Sequence, residues 1–168
     1  MLVSLVEFLV TGRLGKLCLG LNRSVVLGIL GNPTWWQGAP KLNQANSEVW
    51  EYGSLQVVFT TDDLVDTLRL CFRVKHEADF VACSEALLPL VFSDTNPSIV
   101  AEYTSFLQYL TEAEIPFHQL SDAVGKPIIH TPCATAKFSK ILHYEESVRV
   151  EHPVYSPSNY LVTISTRV

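Results

Sequence analysis

Apolar residues recur along the chain at two spacings, and the spacing separates helical segments from strands. In the stretch "GLNRSVVLGILGNP" they recur at the three- and four-residue intervals typical of one helix face, at Val25, Val26, Ile29 and Leu30. Asn22 is a good N-cap residue, because its side chain can accept a hydrogen bond from the first turn. Gly31 can adopt the left-handed conformation that ends a helix, and Pro33 prevents continuation. The pattern therefore predicts a capped helix that ends at Gly31.

The N-terminal run "MLVSLVEFLVTG" has apolar residues at the same helical spacing, at Leu2, Leu5, Val6 and Leu9. The run is too short to span a bilayer, and it has neither the basic segment nor the small-x-small cleavage site of a signal peptide. We therefore expect an amphipathic first helix in a cytoplasmic protein that does not bind membranes. In that compartment the four cysteines are expected to be reduced thiols.

Apolar residues at every second position mark two strands in the first half of the chain. The stretches "LQVVF" and "TLRLCF" flank the turn-forming "TTDD", which indicates an antiparallel pair. Asp62 and Asp63 are interpreted as turn formers rather than as a catalytic carboxylate pair. The alternation predicts that six side chains face the helices: Leu55, Val57, Phe59, Leu68, Leu70 and Phe72. It places five on the opposite, open face: Gln56, Val58, Thr67, Arg69 and Cys71.

The stretch "TWWQGAPKLNQANSE" contains many Gly, Pro, Asn and Gln residues and is interpreted as a loop. Neighbouring residues of an extended loop point in opposite directions, so we expect one of Trp35 and Trp36 to close the helix–sheet junction and the other to be exposed. Exposed tryptophan is enriched at binding hot spots, which makes this pair the strongest sign of binding in the sequence. Trp50 and Tyr52 are expected in the core or at the sheet edge.

A third helix is predicted within "SDTNPSIVAEYTSFLQYLTEAEI", with Asp94, Thr95 or Asn96 as its cap. Its apolar face would consist of Ile99, Tyr103, Phe106 and Leu110. After this helix the second half echoes the first: "VGKP" answers "LGNP", "ILHYEESVRV" answers "VWEYGSLQVV", and "YLVTIS" answers "TLRLCF". In the second copy the inward positions would be Val148, Val150, Tyr160, Val162 and Ile164. The outward positions would be Ser147, Arg149, Leu161 and Thr163.

These patterns predict an α+β fold made of two tandem helix-helix-antiparallel-sheet units, with the helices packed on one face of the sheet. The first unit spans 1–76, a connecting segment spans 77–93, and a divergent second copy spans 94–168. The two sheets are expected to lie side by side. Generic α+β patterning is the alternative explanation of the echo between the halves.

The spacing from Gly20 to Pro33 resembles the G-M-T-x-x-x-V-x-x-x-L-G-x-P signature of the SmpA/OmlA-type domain, a small helix-helix-sheet module. The matching residues are Gly20, Asn22, Val26, Leu30, Gly31 and Pro33. The likeness continues through "WEY", "LQVVF" and "LRLCF" and covers the first half only. Two such units are also similar to β-lactamase inhibitor proteins, which implies that the open sheet face binds an enzyme. The chain further resembles uncharacterised bacterial proteins of an "LGxP…WxYG" type, which implies a toxin-immunity role.

Charge and candidate ligands exclude several classes of function. Only 17% of the residues are charged, and the net charge of −5 comes without any run of basic residues, which argues against nucleic acid as a partner. The "HTPC" stretch places His130 close to Cys133, but a zinc site needs four ligands and no second pair accompanies it. We predict no metal and no cofactor. A Cys–His catalytic dyad is a remote alternative, since nothing indicates a third group to orient the base.

The sequence therefore predicts a non-enzymatic protein-binding module, inhibitor-like or immunity-like, whose partner is another protein or a second copy in a homodimer. Its expected binding residues are Trp35, Trp36, Gln56, Val58, Arg69 and Arg149. The alternative is a small-ligand-binding or intracellular assembly protein with a pocket between the halves.

Overall fold

The computed structural model describes residues 2–37, 47–74, 80–82, 91–95, 100, 102–147 and 150–166, with side chains at 2–37, 47–72, 92–95, 100, 102–139, 161 and 163–166. Its helices are α1 (Leu5–Thr11), α2 (Arg23–Leu30) and α3 (Tyr103–Glu112). Its strands are β1 (Leu2–Val3), β2 (Trp35–Gln37), β3 (Val49–Tyr52), β4 (Leu55–Phe59), β5 (Val65–Val74), β6 (Phe80–Ala82), β7 (Val91–Phe92), β8 (His118–Ser121), β9 (Pro127–His130), β10 (Ala134–Ser147) and β11 (Val150–Thr166).

Most strands belong to one antiparallel sheet with the order β2-β3-β4-β5-β11-β10-β9-β8. Strand β6 pairs with β5, and β1 pairs with β7 in a separate parallel pair. Two four-stranded meanders, β2–β5 and β8–β11, join through their last strands, where Arg69, Leu70 and Cys71 pair with Ser165, Ile164 and Thr163. The prediction of two tandem helix-helix-antiparallel-sheet units is therefore wrong, because the described part of the second half has one helix followed by a four-stranded meander, and both meanders belong to one sheet.

The stretch "VGKP" explains why the sequence similarity between the halves led to a wrong prediction of the fold. It lies in the turn between β8 and β9 rather than at the end of a helix. The Asp122 carboxylate accepts hydrogen bonds from the backbone N–H of Val124 (2.9 Å) and of Lys126 (2.8 Å), and Gly125 has φ of 79°. A glycine with positive φ before a proline reverses the chain equally well after a helix or after a strand. The similarity therefore indicated a chain reversal and not the element before it.

Helix α2 begins and ends as predicted. The Asn22 side chain accepts a hydrogen bond from the backbone N–H of Ser24 (3.0 Å). At the other end Gly31 has φ of 76°, and its N–H donates to the carbonyl of Leu27. Val26 is fully buried, whereas Val25 is 45% exposed, so the apolar face is narrower than its sequence pattern.

Helix α1 is capped by a residue from the other half of the chain. The Ser4 side chain accepts from the N–H of Glu7, and the Asp94 carboxylate accepts from the N–H groups of Leu5 and Val6, both at 2.9 Å. Asp94 was predicted to cap the third helix, but α3 starts at Tyr103 and has no side-chain cap. The predicted α1 stripe is also shifted: the buried residues are Leu5, Phe8 and Leu9, whereas Leu2 belongs to β1 and is 68% exposed.

The core lies between the helices and one face of the sheet. All six strand residues predicted to face inward are at most 6% exposed, which confirms that assignment: Leu55, Val57, Phe59, Leu68, Leu70 and Phe72. They share one cluster with Phe8 and Leu9 of α1, Val26 of α2, and Phe106 and Leu110 of α3. Burial of each such side chain contributes roughly 1.5–3 kcal/mol, so this interface dominates the stability of the fold. The predicted face of α3 is confirmed at Phe106 and Leu110, and Ile99 lies outside the described residues.

A bulge changes which residues of β11 face the core. Lys137 of β10 pairs with Thr163, but Phe138 pairs with Leu161, so Val162 is an extra residue in β11. Leu161 is consequently 1% exposed, although alternation placed it on the open face. Ile164 is buried as predicted. The side chains of Ser147, Val150, Tyr160 and Val162 are not described, and Val148 and Arg149 lie outside the described residues.

Within the described ranges, none of the helices has both the length and the apolar character that crossing a membrane requires.

Candidate functional site on the open face of the sheet

A row of paired residues crosses the whole sheet on the face opposite the core. Residues directly paired in antiparallel strands share a face, so the register alone defines this row. We call it the cross-strand row, and its members from β2 to β8 are Trp35, Glu51, Gln56, Arg69, Ser165, Thr135, His130 and His118. Every member is partly or fully exposed. On the other face of the sheet, the adjacent row of Trp50, Val57 and Leu68 is buried. That face is therefore the core side.

Trp35 and Trp36 lie on a strand rather than on a loop. Trp35 pairs with Glu51 and Trp36 with Trp50, so the two rings point to opposite faces. The prediction that one of them closes the helix–sheet junction is wrong, since Trp35 is 50% and Trp36 39% exposed. Strand β2 is the terminal strand of the described sheet order, and each ring therefore has a neighbouring strand on one side only. The two tryptophans were themselves a strand signal, because aromatic residues favour strands.

Gln56 and Arg69, both predicted binding residues, contact each other on the open face. The Gln56 side-chain amide donates to the Glu51 carboxylate (2.6 Å), and the Arg69 guanidinium donates to the Gln56 carbonyl oxygen (3.3 Å). The three residues are neighbours in the cross-strand row, on β3, β4 and β5. Because the accepting oxygen of Gln56 is neutral, it orients the Arg69 guanidinium without neutralising its positive charge. That charge lies on the open face.

A concave depression of about 410 Å³ lies beside Arg69. It combines cations, hydroxyls and one carboxylate, and its polar lining residues are Arg69, Lys126, Lys137, Asp122, Ser139, Thr163 and Ser165. Pro127, Ile128 and Phe138 supply apolar atoms. Sequence reasoning placed Arg69 and Thr163 on this face but missed Lys126 and Lys137. The basic residues are 11 and more positions apart, so they form no run, and only the order of the strands brings them together.

Val58, another predicted binding residue, is not among the lining residues of the depression. Val58 is half-buried and pairs with Val49 and Thr67 on the open face. Arg149 lies outside the described residues. Val58 is therefore a neighbour of the cross-strand row and not a member of it.

The buried cation Arg23 has a structural role. Its guanidinium donates to the Asp63 carboxylate (2.8 Å) and to the carbonyl of Ser47 (2.6 Å), and it stacks 4.1 Å from the Phe59 ring centroid and 5.0 Å from that of Trp50. Asp63, at φ of 60°, thus fixes the "TTDD" turn as predicted for a turn former. Trp50 is 2% exposed and belongs to the core.

One buried tyrosine, one partly buried tyrosine and one capping carboxylate have shifted pKa values. Burial raises the pKa of Tyr52 to about 12, and its hydroxyl donates to the carbonyl of Gly31 (3.0 Å). Burial, together with the negative charge of Asp94, raises the pKa of Tyr109. Burial also tends to raise the pKa of Asp94, but hydrogen bonds from Ser4, Leu5 and Val6 outweigh it and hold that pKa below its ordinary value. Both tyrosines are therefore protonated at neutral pH, and none of the three groups is on the open face.

The "HTPC" turn packs against the end of α1. The Thr131 hydroxyl donates to the carbonyl of Leu9 (2.7 Å), and the N–H of Cys133 donates to the same carbonyl (3.2 Å). His130 points to the other side, in the cross-strand row. Among the residues with described positions, no three His, Cys, Asp or Glu side chains are grouped in a way that could hold a metal ion.

Comparison of the chain with protein-family models, curated proteins and solved structures gives no match. The resemblance to the SmpA/OmlA-type domain stays a prediction from the sequence.

Proposed function

We propose that this chain is a non-enzymatic protein-binding module whose partner docks on the open face of the sheet. The observation that carries the proposal is the cross-strand row, which extends from the half-exposed Trp35 on β2 to Arg69 at the centre of the sheet. Tryptophan and arginine are the residues most enriched at binding hot spots. An inhibitor or a toxin-immunity protein would act in this way, by covering the surface of its partner.

The side chains of the row are suited to binding because they are partly ordered before a partner arrives. Arg69 is hydrogen-bonded to Gln56, which in turn is hydrogen-bonded to Glu51. A partner that pairs with the guanidinium therefore loses less side-chain entropy than it would with an unrestrained arginine. Trp35 offers a large rigid apolar surface with few rotatable bonds.

The charge of the open face favours a different protein over a second copy. A symmetric dimer places the same patch of both subunits against each other. Pairing through the depression would bring Arg69, Lys126 and Lys137 of one copy towards the same three cations of the other, and like charges repel. The partner surface is therefore expected to carry acidic residues.

A small anionic ligand is a second candidate, favoured by the position of the depression. Arg69 comes from β5 of the first meander, whereas Lys137, Thr163 and Ser165 come from the second. The lining thus takes Arg69 from the first half and its other residues from the second, which supports the alternative of a ligand bound between the halves.

The proposal is tested with a partner captured from a lysate of the native host and then purified. We expect the double variant Trp35→Ala/Arg69→Ala to weaken partner binding by roughly 2 kcal/mol, or about thirtyfold, measured by calorimetry. Trp35 is substituted rather than Trp36, because the register places Trp35 on the same face as Arg69 and Trp36 on the other face.

The matched control is Leu27→Ala/Lys16→Ala, which also removes one exposed apolar side chain and one cation, but from α2 and the segment before it. We expect the control to bind the partner like the unchanged chain, and both variants to keep its melting temperature within a few degrees. Equal loss of binding in the two double variants, or no loss in either, would mean that the partner does not dock on the open face.

A further inference from the structure

Three cations converge on the depression from three separate elements. Arg69 is on β5, Lys137 is on β10, and Lys126 is in the turn between β8 and β9. Among the described lining residues Asp122 is the acidic one, so the formal charge of the lining is three minus one, or +2. The whole chain has a net charge of −5. The depression is therefore a local concentration of positive charge on an acidic protein.

The positive charge of the depression is not neutralised by contacts within the described part of the chain. There, the ion pair is that of Arg23 with Asp63, and Arg69, Lys126 and Lys137 form none. The Asp122 carboxylate is used by the turn, where it accepts from two backbone N–H groups. These cations are therefore available to an external anion.

Hydroxyl groups beside the cations add neutral hydrogen-bond donors. Thr163 and Ser165 lie on β11, between the strands of Arg69 and Lys137, and both side chains are partly exposed. A carboxylate has two oxygens that together accept several hydrogen bonds, so neutral hydroxyl donors can add to the charge-assisted bonds from the cations. The lining thus matches carboxylates better than it matches an apolar ligand.

Arg69 and Lys137 are far enough apart to bind two separate anionic groups. Arg69 pairs with Ser165 while Lys137 pairs with Thr163, so their backbone positions differ by two strands across and two residues along the sheet. Strand spacing and rise place these positions about 12 Å apart. Side chains on one face of an extended peptide recur about every 7 Å, so carboxylates two or four residues apart, at about 7 or 14 Å, are within reach of long cationic side chains on these two positions.

We infer that the depression binds an extended acidic segment of the partner, rich in Asp or Glu. Carboxylates on one face of this segment dock on Arg69 and Lys137, and Thr163 and Ser165 donate hydrogen bonds to them. The inference deepens the proposed function and rests on it, because it identifies the chemistry of the partner surface. The volume of about 410 Å³ is sufficient for several side chains.

The experiment titrates the full chain with a hexaglutamate peptide at low salt, with hexaglutamine as the neutral probe and inorganic phosphate as the small anion. We expect hexaglutamate to bind, to be released by added salt, and to bind at least about fivefold more weakly to Lys137→Ala and to Arg69→Ala. The matched control Lys16→Ala removes an exposed lysine outside the depression and should bind like the unchanged chain. Attraction between the net charges of the two molecules cannot produce this result, because the chain and the peptide both carry a net negative charge.

Three outcomes would overturn the inference: equal binding of hexaglutamate by Lys137→Ala and Lys16→Ala, binding of hexaglutamine as tight as that of hexaglutamate, or binding of phosphate without binding of hexaglutamate. The last would assign the depression to a small anion. Measurements with the captured partner distinguish a failure of this inference from a failure of the proposed function. Binding that depends on Trp35 but not on Lys137 refutes the inference and supports the proposed function, whereas binding that depends on neither refutes both. Lys137 is exposed, so its substitution should not disturb folding.

Discussion

The two meanders of the sheet follow the alternation of their sequences to different extents. In β4 and in β5 from Leu68 to Phe72, every second residue is buried, as alternation requires. In β11, Leu161 and Ile164 are both buried although they are three residues apart, because Val162 is a bulge. The first meander also skips a residue, Asp66, but outside the stretch from which its faces were predicted. Alternation therefore identifies the faces of a strand only between bulges.

A second difference concerns what precedes similar turns. "LGNP" ends α2 in the first half, whereas "VGKP" connects two strands in the second. Gly31 and Gly125 nevertheless have nearly the same φ, 76° and 79°. The two halves thus share a glycine with positive φ at these turns, while the elements around the turns differ.

The largest expected effect tests the difference in alternation. Leu161→Ala and Leu68→Ala should each lower the free energy of unfolding by about 2–5 kcal/mol, because both side chains are at most 1% exposed and leave a cavity. Urea denaturation measures both, and Thr163→Ala serves as the half-exposed neighbour in β11. If Leu161→Ala lowers the free energy of unfolding as little as Thr163→Ala does, Leu161 does not face the core and the bulge at Val162 is contradicted.

A smaller effect tests the similarity of the turns. Gly31→Val and Gly125→Val should each cost about 1–2 kcal/mol, since a β-branched residue is strained at positive φ. Apart from each glycine and its two chain neighbours, no atom of the described residues lies within 4 Å of the Cβ position at either glycine, so the expected loss comes from backbone strain. Gly125→Asn should cost less, because Asn tolerates the left-handed region. If one valine variant unfolds at the same urea concentration as the unchanged chain, the two turns are not equivalent.

The smallest effect tests the contact that links the halves. Asp94→Asn should lower stability at neutral pH by about 1 kcal/mol, the usual value of a helix N-cap. The pKa of Asp94 is lowered in the folded chain, so its contribution is complete above the ordinary value of 3.8 and is lost as the pH falls through the folded pKa. Thermal unfolding from pH 7 to pH 2 should therefore show the two proteins converging in acid. A constant difference across this range would contradict the capping role.

Local chemistry of the sequence alone was enough to predict the boundaries of α2, the "TTDD" turn and the buried faces of β4 and β5. A cap, a turn or an alternating strand depends on residues within about four positions of one another, and these positions are visible in the sequence. The sequence also identified Gln56, Arg69 and Thr163 as residues of the open face, by the same alternation.

Only the tertiary structure decided which distant residues became neighbours. It placed Asp94 at the start of α1, joined the meanders through β5 and β11, and aligned Trp35 with Arg69. It also brought Lys126 and Lys137 beside Arg69 in one depression. Strand order and register arise from the packing of whole elements, and a bulge of one residue changes the face of the residues beyond it. For that physical reason the sequence predicted which residues of a single strand lie on the open face. It could not predict that cations from three different elements meet in one depression.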